Sequence, residues 1–203
     1  MMTTTKRPVG RPATIADPRQ TIMAHAARMF ATQGYENTSL SQIATATGIS
    51  KAALYHYFPA KQEIYDAIVV EMLQSMKDQV WARVEQQSSF KDRLKAFMAA
   101  HADFFQDNYQ EFVTLLHGIS GTSRRRSAEE LAARARYENA LRSLVQSGAE
   151  AGDIRQQDTA IVARAILAPL NAMPRWFNPK GTRRAAEFAE EFFDLLFEGL
   201  RQR

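Results

Sequence analysis

The chain contains a helix start, a helix stop and a second start within the span Ser39 to Ser50. Ser39-Leu40-Ser41-Gln42 has the form of a capping box, in which the Ser hydroxyl takes the Gln42 N–H and the Gln side chain reaches back. Gly48 stops that helix, Ser50 caps the next over roughly Lys51–Tyr57, and Pro59 breaks the chain again. Upstream, Asp17-Pro18-Arg19-Gln20 sets a cap and a proline at the first helical position. Ile22, Ala26, Met29 and Phe30 follow at helical spacing until Gly34. Three short helices, with a tight glycine turn between the second and third, make a helix-turn-helix.

The third helix carries Tyr55, His56, Tyr57 and Phe58 side by side between Lys51 and Lys61. A helix of period 3.6 cannot bury four neighbouring aromatic-type residues on one face. Leu54 and Phe58, four apart, can pack inward against Ile22, Phe30 and Ile43. Lys51, Ala52, Tyr55 and His56 are left for the opposite side, where an ammonium, a methyl, a phenol and an imidazole suit phosphates and base edges. Lys61 lies in the first turn of the following helix, where a cation opposes the helix dipole, so it reads as half of a phosphate clamp. Charge agrees. Residues 1–61 hold seven basic residues against Asp17 and Glu36, a net of +5, while the rest holds nineteen basic against twenty acidic, a net of −1. A basic module on a neutral body points to a polyanion at one end.

The run from Ser39 to Lys61, with Phe30 and Gly34-Tyr35 ahead of it, resembles the DNA-binding domain of TetR-family transcriptional repressors. The resemblance implies an all-α fold, with an N-terminal helix-turn-helix domain and a C-terminal helical ligand-binding and dimerisation domain, about nine helices in all. Ala60 departs from the family pattern, which has a capping Ser, Asn or Asp there; Glu63 keeps part of a box, and the helix start should be weaker. Ahead of the first helix, Lys6-Arg7-Pro8-Val9-Gly10-Arg11-Pro12 reads as an extended arm that could enter a narrow minor groove. The expected DNA contacts are therefore Arg7, Arg11, Ser39, Ser50, Lys51, Ala52, Tyr55, His56 and Lys61. The expected layout is a flexible basic arm over 1–16, the helix-turn-helix over 17–60, and the ligand-binding and dimerisation domain over 61–203.

The body continues in helices. Lys61–Gln87 places Ile64, Ile68, Met72, Met76 and Val80 at four-residue steps; Phe90–Asn108 follows; a short helix carries Phe112, Leu115, Leu116 and Ile119. A loop is expected over Gly118–Ser127, with Arg124-Arg125-Arg126 inside it. The next helix spans about Ala128–Ala151 and is closed by Gly148 and Gly152. The last two span about Gln157–Phe177, interrupted by Pro169 and Pro174, and Thr182–Arg201. Both are apolar on too wide a face for one internal contact. Ile166, Leu170, Phe188, Phe192, Leu196 and Leu200 are the expected homodimer surface, with Ala163, Ala165 and Ala168 permitting close approach; the resemblance implies a four-helix interface.

No catalytic constellation stands out. The four histidines, His25, His56, His101 and His117, lack metal-ligand spacing, and no phosphate loop or nucleophile elbow occurs. The reading is not an enzyme, with no metal and no cofactor. There is no cysteine, no signal-peptide pattern and no apolar run of membrane-spanning length, so a cytoplasmic chain without membrane contact is expected. An effector cavity is expected from Phe97, His101, Phe104, Phe105, Leu116, Tyr137, Arg175 and Trp176. The stretch Asn171-Ala172-Met173-Pro174-Arg175-Trp176-Phe177-Asn178-Pro179-Lys180-Gly181 is similar to the end of the ligand domain in TetR repressors of fatty-acid, phenylacetate and steroid degradation. That likeness implies an acyl-CoA effector; the phosphates of such an effector need cations, which Arg175 or the Arg124–Arg126 run could provide. The alternatives are an aromatic or drug-like inducer, and a non-sensing helical DNA-binding or adaptor protein.

Overall fold

The computed structural model describes residues 16–120 and 126–200, except for the side chains of residues 115–120 and of Leu200. Among these residues the elements are α1 (Pro18–Gln33), α2 (Leu40–Thr47), α3 (Lys51–Tyr57), α4 (Lys61–Val84), α5 (Phe90–Asp107), α6 (Tyr109–Ser120), α7 (Ala128–Glu150), α8 (Thr159–Ala172), a 3-10 turn (Met173–Arg175) and α9 (Ala185–Leu200). The fold is all-α.

The first three helices start where their caps dictate. Asp17 accepts from the Gln20 N–H at 3.0 Å. The capping box at Ser39 is complete, and Ser50 accepts from the Ala53 N–H at 3.2 Å. Gly48 sits at φ 69°, a left-handed position that favours glycine, and this sets the sharp turn from α2 into α3. α4 starts without help, since Ala60 makes no side-chain capping bond.

Some boundaries differ from expectation. α4 stops at Val84, short of Gln87. α6 runs through Gly118 to Ser120, so Gly118 does not end it, and Arg124 and Arg125 lie outside the described residues. Gly148 does not close α7. It lies inside the helix, where an added Cβ would come within 2.4 Å of the Phe90 ring, so it is a point of close approach between α7 and α5. Pro169 stays within α8, and the chain leaves that helix at Met173 through the 3-10 turn holding Pro174. α9 begins at Ala185, later than Thr182. The Arg184 N–H donates to Glu187 Oε1 at 2.8 Å and so marks its start.

The reading head packs on the body through aromatic rings. Ile22, Phe30, Ile43, Leu54 and Phe58 are all buried, as the sequence required of α3's inner stripe. Tyr35 packs on Phe30 at 5.2 Å and on Tyr65 at 5.4 Å between ring centroids. Tyr65, on α4, donates to the Thr114 carbonyl of α6 at 2.8 Å, and the Thr114 hydroxyl donates to Ala27 of α1 at 3.1 Å. Arg19 of α1 pairs with Glu71 of α4, which Gln20 also reaches at 2.8 Å. The head is thus tied to both α4 and α6. In the body, Asp103 of α5 accepts from Arg83 of α4 at 2.7 Å and from Arg184, just ahead of α9, at 2.8 Å.

Candidate DNA-reading surface and effector cavity

α3 exposes Lys51, Ala52, Tyr55 and His56 together, on the side opposite Leu54 and Phe58. Tyr55 is 43% exposed, a large amount for an aromatic ring in a folded chain. The Lys51 ammonium lies 5.9 Å from its ring centroid. Tyr57, also exposed, meets the His56 ring edge-on at 5.6 Å. Ser39 and Ser50 are exposed beside this face, but their hydroxyls already serve the caps of α2 and α3.

Lys61 is occupied differently from a free phosphate clamp. Its ammonium donates to the Tyr35 carbonyl at 2.6 Å, reaches that of Glu36 at 3.4 Å and lies 4.2 Å from the Tyr35 ring centroid. These partners offset the unfavourable placement of a cation at a helix start. The lysine therefore staples α4 to the α1–α2 loop. Arg7 and Arg11 lie outside the described residues.

The expected effector residues separate into three places. Phe97, His101 and Tyr137 come together among α4, α5 and α7. His101 Nδ1 lies 2.8 Å from the Tyr137 hydroxyl, and the Phe97 and Tyr137 ring centroids lie 5.9 Å apart. Trp81 meets both Phe97 and Tyr137 edge-on, and Phe112 meets His101 edge-on at 5.5 Å. Phe105 belongs to a neighbouring cluster with Tyr109, Phe112 and Phe177. Phe104 faces a separate recess between α1 and α4, with Met23, Ile68 and Met72. Arg175 and Trp176 are not at the cavity. Both are exposed, because the 3-10 turn carries them outward, and Trp176 packs on Phe188 and Phe192 of α9. The Leu116 side chain lies outside the described residues.

His101 and Tyr137 line a cavity of about 220 Å³ between α4, α5, α7 and α8. Leu73, Met76 and Leu167 supply an apolar wall, Asn171 a polar group, and Arg126, Arg134 and Glu138 the charges. Beside it, the fully buried Glu130 accepts from Arg134 Nε at 2.9 Å and Nη2 at 2.7 Å, and Arg126 Nε stands 3.8 Å away. Burial draws the Arg134 guanidinium below its ordinary pKa, while Glu130 acts the other way. Burial lowers His101 to about 3 and pushes Tyr137 well above the ordinary phenol value, so both are neutral at pH 7. Trp81, Leu73, Leu167 and Asn171 were absent from the sequence-derived set. Asn171 opens the stretch whose resemblance pointed to a ligand domain, and that was the one signal available for it.

The dimer candidates also divide. Ile166 and Leu170 are 1% and 0% exposed, and Ala163 is fully buried. These side chains fill the protomer's own core and are not available as an outer surface. Phe188, Phe192 and Leu196 are half-buried, and Leu200's side chain is outside the described set. Missing from the expected set were Ile161, 62% exposed, and Leu195, 76% exposed. Both are the outward members of apolar runs whose other members turn inward. Among the described residues, no helix is long and apolar enough to cross a membrane, and no group of His, Asp and Glu could hold a metal ion.

Two family models match in series: "Bacterial regulatory proteins, tetR family" over residues 22–68, and "Tetracyclin repressor-like, C-terminal domain" over residues 87–200. The chain belongs to the TetR family. It is a helix-turn-helix, DNA-binding transcriptional regulator built on that family's repressor plan. It is 41% identical to the TetR-family transcriptional regulator PfmR of Thermus thermophilus, with a TM-score of 0.79, covering 89% of this chain and 99% of that one. AibR, solved with isovaleryl coenzyme A and operator DNA, is 25% identical, with a TM-score of 0.78 and coverage of 89% and 98%. The transcriptional repressor KstR2 of Mycolicibacterium smegmatis is 23% identical, over 94% of each chain.

Proposed function

We propose that this TetR-family protein is a cytoplasmic homodimeric repressor, released from a pseudo-palindromic operator by a short-chain acyl-CoA thioester. The carrying observation is the cavity between α4, α5, α7 and α8, whose lining combines apolar side chains with Arg126 and Arg134, two guanidinium groups that share the single carboxylate of Glu130. An acyl group needs the first and the phosphates of a coenzyme A need the second. A volume of about 220 Å³ is below that of a drug-sized pocket, which favours a short or branched chain over a long one. AibR, whose complex holds isovaleryl coenzyme A, supports the same class. The boundary between reader and sensor falls at Ala60–Lys61, and α4 carries any change in the cavity to α3.

On DNA, Lys51, Ala52, Tyr55 and His56 read the major groove, Ser39 and Ser50 lie at its edge, Lys61 orders the loop beside it, and Arg7 and Arg11 reach the minor groove. Two such heads span half-sites about one helical turn apart. The test is a titration of operator complexes with acyl-CoAs of increasing chain length, free CoA, free acids and neutral aromatics. Release by short acyl-CoAs and not by free CoA is expected. Release by a neutral aromatic alone would replace the thioester reading with a drug-like inducer. Failure of every compound to release DNA would leave a non-sensing binder. In the same assay Tyr55→Ala should weaken operator binding by about tenfold or more, a loss of about 1–3 kcal/mol for a base-edge contact, with the helical signal unchanged. Affinity should fall steeply with salt through counterion release.

A further inference from the structure

The aromatic box around His101 leaves one polar atom unmet. Nδ1 is engaged by the Tyr137 hydroxyl at 2.8 Å, and Nε2 is buried with no hydrogen-bond partner among the described residues. The proton arrangement follows from counting. A neutral imidazole has one N–H and one lone pair, and the phenol has one O–H. If Nδ1 carried the proton and donated to Tyr137, both the Nε2 lone pair and the Tyr137 O–H would need partners. If Tyr137 donates to Nδ1, the proton sits on Nε2 and only that N–H lacks a partner. The second arrangement leaves fewer groups unmet in a dry site, so it is favoured. Protonating both nitrogens would bury a charge among Phe97, Phe112 and Tyr137, with only Tyr137's oxygen to meet it.

The result is a single, uncharged N–H donor in a residue that lines the cavity beside Leu73, Met76 and Leu167. Such a donor suits a neutral acceptor. A carboxylate would set a negative charge beside the aromatic box, where His101 can offer it only an uncharged donor. A thioester presents an uncharged carbonyl oxygen between its apolar chain and its polar carrier, and the cavity is lined by apolar side chains, His101 and two arginines.

We propose that His101 is a specificity-determining residue, whose Nε2–H donates to the carbonyl oxygen of an acyl thioester seated in the cavity, with Tyr137 as the positioning residue that fixes the tautomer. This rests on the acyl-CoA reading above and names the group that recognises the thioester itself.

The experiment pairs two probes that differ only at that carbonyl: butyryl-CoA, and S-butyl-CoA, in which a methylene replaces it. Binding to the full-length dimer is measured by calorimetry. The wild type should prefer butyryl-CoA by about tenfold, the order of one buried hydrogen bond. His101→Phe should abolish the preference, read as the ratio of the two affinities within the variant. His101→Gln, whose amide N–H can take the place of Nε2–H, should recover part of it. A preference that survives in His101→Phe, or a wild type without preference, overturns the role of His101 and leaves the acyl-CoA function standing. Failure of both probes to bind, together with failure of the acyl-CoA series to release operator, overturns the function and this role with it. Should His101→Phe not fold, nitrogen-15 NMR of the wild type decides. The His101 Nε2–H resonance should move with butyryl-CoA and not with S-butyl-CoA, and equal response to both overturns the proposal.

Discussion

His101 is a buried base, packed with the buried Tyr137 in the aromatic box of the body. Its folded-state pKa of about 3 lies below the ordinary 6.5, because burial penalises the imidazolium. Between those values the unfolded chain binds a proton that the folded chain does not. The stability this residue allows is therefore fully present above pH 6.5 and is lost as pH falls toward 3. The slope is about 1.4 kcal/mol per pH unit, so lowering pH from 6.5 to about 5 should remove about 2 kcal/mol. Urea unfolding of wild type and His101→Phe at both values checks this: the variant should lose less stability over the interval, and parallel losses would refute it. At the same scale, Lys61 shows how a side chain that reads as a DNA contact can be drawn into the fold. Two carbonyls and one ring already surround its ammonium.

α4 joins the reading head to the body, and its first turn is its weak point. Ala60 holds extended backbone, φ −139° and ψ 152°, as an N-cap should, yet makes no side-chain bond to the free N–H groups that follow. Ala60→Ser should supply that bond and raise stability by about 1 kcal/mol, read as a higher urea midpoint with an unchanged slope. No gain would mean that the Lys61 staple already holds the turn. α7 and α5 show another constraint between elements. Gly148 lets the Phe90 ring lie against the α7 backbone, and Gly148→Ala should cost about 1–3 kcal/mol by overpacking. Thermal unfolding at fixed protein concentration would register that loss, and an unchanged melting temperature would show that Phe90 moves aside freely.

For the whole molecule, α8 and α9 leave Ile161 and Leu195 in water beside half-buried Phe188, Phe192 and Leu196. Covering such side chains is worth roughly 1.5–3 kcal/mol each, and a second copy of the chain offers the same surface in return. Leu195→Glu should leave the protomer folded, since the residue makes little of its core. It should place an unpaired carboxylate in each half of the dimer contact. Light scattering should then show monomer where the wild type is dimeric, and operator binding should fall because one head alone grips one half-site. A dimeric Leu195→Glu would move the interface elsewhere.

The reading head was legible in the sequence because its determinants are local. Caps at Asp17, Ser39 and Ser50, the stop at Gly48 and the break at Pro59 each act within one helical turn, and the face left over on α3 follows from the 3.6 period. The all-α architecture followed from the same punctuation. The cavity and the outer surface were not legible to the same degree, because helical spacing marks an apolar side without saying what it meets. Ile166 and Leu170 turned inward while Ile161 and Leu195 stayed out, although all four belong to the same kind of apolar run. Trp81 and Asn171 lie far apart in the chain, and only the packing of α4, α5, α7 and α8 brings the first against Tyr137 and the second to the cavity that Tyr137 lines. Local backbone preference determined the helices. Long-range packing decided which polar atoms, His101 Nε2 foremost, were left without a partner among the described residues.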